Sequence, residues 1–208
     1  MIPLDTLIPF FAASLLLSLA PGPDNIFVLT QSAVQGRSAG IVVMLGLCTG
    51  LIFHSAAVAM GVAVIFQTSA LAFSILKYLG AAYLVYLAWM SFRASAETLA
   101  DGKASGLNLP KLYRRGIIMN ITNPKVSIFF LAFLPQFADP SRGPVSIQML
   151  MLGAVFIVAT FLVFGLVALL AGSIGQFLNR SPRAQTWLNK GAAVVFLGLA
   201  LKLATTEQ

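Results

Sequence analysis

Acidic residues, cysteine and histidine are all scarce in this 208-residue chain. It holds six Asp and Glu, one cysteine and one histidine, and charged residues make up 9% of it. Soluble globular proteins carry about 25% charged residues. The 59% of hydrophobic residues here exceed what a domain of this length can hide in its interior. Each scarcity excludes something. Cys48 alone cannot form an intrachain disulfide. One His and one Cys cannot build a usual zinc site, so no metal is expected. Asp24 is the only acid inside an apolar run, which leaves no paired-carboxylate chemistry, and no Ser-His-Asp set is visible. No Gly-rich loop follows a strand, so neither a nucleotide nor another cofactor is expected, and the chain does not read as an enzyme. The opening MIPLDTLIPFF lacks a basic stretch and carries Asp5, so no cleavable signal peptide is expected. Disorder, nucleic-acid binding and a secreted disulfide scaffold are excluded together. With a mean hydropathy of +0.92, the chain uses lipid as its solvent.

What is abundant is apolar runs long enough to cross a bilayer, which takes about 20 residues per helix. Six qualify, at about 7–33, 39–66, 70–92, 116–137, 147–172 and 187–204. They lack period-2 alternation, and backbone polar groups in lipid must be paired locally, so helices are expected. The polar stretch at about 93–115 divides one transmembrane domain, 1–208, into repeats of about 1–92 and 116–208. Nine basic residues lie in the loops after spans one, three and five: Arg37; Arg93, Lys103, Lys111, Arg114 and Arg115; then Arg180, Arg183 and Lys190. Only Arg142 and Lys202 lie on the other side. The positive-inside rule then places loop 93–115 in the cytoplasm and both termini outside.

Spans one and four are each interrupted near the middle, by Ala20-Pro21-Gly22-Pro23-Asp24-Asn25 and by Asn120-Ile121-Thr122-Asn123-Pro124-Lys125. Proline lacks a donor and clashes with the carbonyl four residues back, so Pro21, Pro23 and Pro124 strip partners from the carbonyls of Leu17, Leu19 and Asn120. Such breaks survive in a membrane only where protein or water covers them. Pro23 and Pro124 are 101 residues apart, each is followed by a charge, and each is followed twelve residues on by a glutamine, Gln35 or Gln136. With an odd number of spans in each half, the two repeats are expected to be inverted. Paired, Gly/Pro-interrupted spans in corresponding halves point to a transporter's central site.

Asp24 at membrane depth calls for a partner or a wet cavity. Lys125, in the mirrored position, is the expected partner, the two meeting to line a substrate path. A zwitterionic amino acid would find an anion for its ammonium and a cation for its carboxylate, and Asp24 is the natural carrier of coupling protons. The bland alternative is a structural salt bridge holding the broken helices together. Asn25, Asn120 and Asn123 flank the breaks, with amides suited either to capping freed carbonyls or to touching a ligand. Gln31 is expected to extend the polar path along one helix face. His54 follows Gly46 and Gly50 at steps of four, which favours close helix packing and one satisfied hydrogen bond over a proton relay. A homo-oligomer is left open, since the Gly46–Gly50 spacing cannot specify a dimer by itself. Lys77 is expected to snorkel, and Tyr78, Tyr83, Tyr86 and Trp89 to form an interface belt.

These residues together resemble the LysE/RhtB family of small amino-acid exporters. The resemblance runs through LAPGPDNIFVLTQSAVQGRSAGIVVMLGLCTGLIFH (19–54), LKYLGAAYLVYLAW (76–89) and RRGIIMNITNPKVSIFFLAFLPQF (114–137). It implies proton-driven secondary export of amino acids or close derivatives through the bacterial inner membrane. It marks Pro21, Gly22, Pro23, Asp24, Gln35, Gly36, Asn123, Pro124, Lys125 and Pro135. Thiol-electron conduits of the wider superfamily need two intramembrane cysteines, and metal exporters want several acids or histidines, which this chain lacks. The expectation is therefore an all-α membrane protein of six spans in two inverted three-helix repeats. It would carry an amino acid, a neutral one favoured because few polar residues remain for a side-chain pocket. The alternative from another class is a non-transporting membrane assembly or scaffold subunit.

Overall fold

A computed structural model describes residues 2–68, 70–94 and 108–205. Among them there are eight α-helices and no strand: α1 (Leu4–Leu19), α2 (Pro23–Gln35), α3 (Arg37–Thr68), α4 (Ala70–Arg93), α5 (Leu109–Ile121), α6 (Pro124–Ile128), α7 (Val145–Arg180) and α8 (Pro182–Thr205). Arg37–Gly61, Ser74–Arg93, Val145–Gly175 and Pro182–Thr205 are each long and apolar enough to cross a membrane. The pairs α1–α2 and α5 with Pro124–Phe137 pass the same test only together, bent by 59° and 49° at short breaks. Counting each bent pair as one span gives six crossings, with the first and fourth broken at the PGP and NPK motifs.

The helices run somewhat beyond the expected ranges; α7 continues eight residues past 172, to Arg180, and the largest difference at a helix start is at the fourth span. Its helix begins at Leu109, seven residues early, inside the stretch expected to be loop. Pro110 occupies the first turn, where its missing donor is harmless, and the Asn108 side chain accepts from the Lys111 amide at 2.9 Å. Lys111, Arg114 and Arg115 therefore ride on α5. Residues 95–107, with Glu97, Asp101 and Lys103, lie outside the described residues. The same span ends irregularly. Pro135 has no amide proton for the Leu131 carbonyl. The chain leaves α6 through a π-turn, Phe129–Phe133, where Leu134 N donates to Phe129 O, and then a 3-10 turn, Leu134–Phe137.

Helix α3 packs against α7 and α5, α4 against α8, and α7 against both α1 and α2. Two apolar cores result. One joins α1, the irregular end of span four, α4, α8 and the first half of α7. Its aromatics interlock: Phe10 with Phe137 (ring centroids 5.0 Å), Phe129 with Phe133 (4.8 Å), and Phe156 with both Phe129 (5.0 Å) and Phe130 (5.2 Å). The other core joins α2, the start of α3, α5 and the second half of α7 around Val28, Val43, Leu47 and Ala168. The two breaks lie between these cores.

Candidate functional site

The first break spans Ala20, Pro21 and Gly22. Its freed carbonyls are claimed by side chains. Asn25 Nδ2 reaches back across the bend to the Ser18 carbonyl at 2.6 Å. Lys125 Nζ, from the other broken span, donates to the carbonyls of Leu17 (3.3 Å) and Ala20 (3.0 Å). The ammonium thus sits at the negative C-terminal end of α1, where a cation is stabilised. Gly22 makes room for it: a Cβ there would lie 3.0 Å from Nζ. Asp24 occupies the first turn of α2, where the helix dipole favours an anion.

The second break, Thr122 and Asn123, caps itself. The Asn123 side chain accepts from the Lys125 amide at 3.0 Å, and the Thr122 hydroxyl folds back to the Ile118 carbonyl at 2.8 Å. The Asn120 carbonyl, which Pro124 leaves without its helical donor, accepts from Asn123 N (3.0 Å) and from His54 Nε2 (3.2 Å). His54 also stacks on Phe130, with centroids 5.5 Å apart. The glycine stripe of α3 carries this face. Gly46 lies against Gly116 of α5, and Gly50 against the Asn120 side chain.

Between the breaks is a cavity of about 10 Å³, whose polar lining is Ser18, Asp24, Asn120, Lys125 and Thr160 and whose apolar walls include Leu51, Phe156 and Phe164. That volume is about one water molecule's worth. Asp24 is 2% exposed and Lys125 6%. The expected direct pairing of these two charges is not formed: no nitrogen–oxygen distance of 4 Å or less joins them, because the Lys125 ammonium turns onto the α1 carbonyls. Asp24 is held instead by Asn120, whose Nδ2 donates to Oδ2 at 3.1 Å. Four buried atoms at the breaks form no hydrogen bond of ordinary length to the described residues: Asp24 Oδ1, Asn25 Oδ1, Asn120 Oδ1 and Asn123 Nδ2. Buried polar groups are normally satisfied, and exceptions cluster where function needs them. The unspent set contains acceptors suited to an ammonium beside a lysine with one N–H donor still uncommitted.

The structure thus brings Asp24, Asn120 and Lys125 to one cavity, with Pro21, Gly22, Pro23 and Pro124 shaping its backbone and Asn25 and Asn123 bracing the bends. Gln31 is not at the cavity; it accepts from Gln35 Nε2 at 3.0 Å, further along α2. His54 supports Asn120 from behind. Ser18 and Thr160 line the cavity yet carry no distinguishing signal in the sequence, since isolated hydroxyls in apolar helices read as packing.

The LysE type translocator family matches residues 15–207. Over 202 residues the chain is 36% identical to the homoserine/homoserine lactone efflux protein of Salmonella typhimurium, covering 95% of each. Over 199 residues it is 33% identical to an uncharacterised membrane protein of Vibrio cholerae, covering 95% of this chain and 96% of that one. No solved structure matches it significantly. The chain belongs to the LysE type translocator family, whose members are membrane translocators and not enzymes.

Proposed function

We propose that the protein is a secondary exporter of small neutral amino acids or close derivatives. It would work from the bacterial cytoplasm through the inner membrane, by alternating access around the two broken helices. The observation that carries this reading is the unspent polar set between the breaks. Asp24 Oδ1 and Asn120 Oδ1 are acceptors for a substrate ammonium. The uncommitted Lys125 donor and Asn123 Nδ2 are donors for its carboxylate. The remaining walls are apolar apart from the Ser18 and Thr160 hydroxyls, and none carries a charge, which disfavours a charged side chain. Two half-helices that begin near mid-membrane, in an inverted pair, are the arrangement transporters use to meet such ligands. A cavity holding about one water is too small for an amino acid, so loading requires its walls to move. Asp24 is the proton carrier in this reading, being the one acid there. The named export activity of the Salmonella relative supports the direction, and the basic loops support cytoplasmic placement of 93–115.

Counterflow in proteoliposomes, with a panel of labelled amino acids at two internal pH values, tests this. The expected result is saturable exchange of small neutral amino acids, faster with an imposed proton gradient. No flux of any amino acid in vesicles that contain folded protein would refute it.

A further inference from the structure

Hydroxyls in apolar helices usually fold back onto their own backbone, and several here do. Ser14 Oγ donates to Phe10 O (2.7 Å), Ser55 Oγ to Leu51 O (2.8 Å) and Thr49 Oγ1 to Leu45 O (2.9 Å). Ser18 of α1 and Thr160 of α7 do not. Their hydroxyls face each other at 3.2 Å, across 142 residues of sequence, with Ser18 4% and Thr160 2% exposed. Two hydroxyls carry two protons, and a single mutual bond uses one. Among the described residues the second O–H has no acceptor, and both side chains line the cavity that holds Asp24, Asn120 and Lys125.

The groups suited to the ends of a zwitterion come from α2, α5 and α6. Ser18 and Thr160 come from α1 and α7, and are therefore free to meet a third part of the ligand. The cavity's other walls, Leu51, Phe156 and Phe164, offer only apolar contact.

We propose that Ser18 and Thr160 are specificity-determining residues, which read a hydrogen-bonding oxygen on the side chain of the transported amino acid. This rests on the reading that a zwitterion binds between the breaks. An oxygen-bearing side chain accepts the unspent proton and replaces the mutual bond, whereas a methyl in the same place leaves it unmet. The discrimination is moderate, because the pair can fall back on bonding itself.

Competition counterflow with the full chain in proteoliposomes tests it, using pairs that exchange hydroxyl for methyl: threonine against valine and homoserine against norvaline. Wild type should favour the oxygen-bearing member of at least one pair. Thr160→Val should lower that preference by about tenfold, the worth of one hydrogen bond, and Ser18→Ala should lower it similarly. Thr160→Ser should retain it. Transport of neutral amino acids without preference in wild type would overturn the assignment, as would a preference unchanged in both Thr160→Val and Ser18→Ala. Absence of all amino-acid flux in wild type would instead refute the transport reading, and the assignment with it.

Discussion

The two broken spans solve the same problem in different ways. The second break satisfies itself with local groups, the side chains of Thr122 and Asn123, plus one bond from His54. The first break, three residues long and bent more sharply, depends on a distant lysine: two of its carbonyls are held only through Lys125 of the other span. A buried ammonium that caps a neighbouring helix end is a contact that a substrate carboxylate can compete for. The asymmetry would make the first span the more pliable of the pair, and would tie its geometry to the proposed ligand site.

The largest effect should come from Lys125→Met, which deletes the borrowed cap. Each orphaned buried carbonyl costs about 1–3 kcal/mol, so thermal unfolding in detergent should drop by several degrees and counterflow should be lost. In stability, Asn123→Ala removes a local cap and should cost about 1 kcal/mol, although it also removes one proposed donor to the substrate. If Asn123→Ala proves the more damaging, the contrast between the breaks is reversed. Next comes Gly50→Ala. Its methyl would lie 2.7 Å from Asn120 Oδ1, and overpacking of this kind costs about 1–3 kcal/mol. The displaced Asn120 should loosen its hold on Asp24 and raise the half-saturating substrate concentration.

The smallest effect is expected away from the breaks, at Asp139. Its exposed carboxylate is held below the usual carboxylate range by bonds from Ser141 and Arg142. A depressed folded value stabilises the loop above the usual range and is lost only as pH falls through the folded value. Asp139→Asn should therefore leave counterflow at about pH 6 to 8 unchanged, which separates loop electrostatics from site electrostatics.

Much of this was legible in the sequence because lipid imposes strict rules. Long apolar runs must be helices, and prolines at 21, 23 and 124 must break them. The glycine stripe of α3 reads as close packing, and in the structure Gly46 lies on Gly116 while His54 bonds the Asn120 carbonyl. The start of α5 was hidden because Lys111, Arg114 and Arg115 look like loop until the cap at Asn108 and Pro110 is weighed. The π-turn before Pro135 was equally hidden, since a proline marks a break without saying what shape the break takes. Lys125 stood out by its mirrored position, but its choice of the α1 carbonyls over Asp24 depends on the bend angle. The Ser18–Thr160 pairing joins residues too far apart for any spacing pattern to reveal.

The central claim is that the polar groups between the breaks, Asp24 foremost, bind and couple the transported amino acid. Counterflow by Asp24→Asn, reconstituted at wild-type density, tests it most directly. The substitution preserves shape and the bond from Asn120 on one oxygen, but removes the charge. The account predicts loss of transport by roughly a hundredfold or more, in line with removing a buried charge from a charged ligand. Full activity would contradict it.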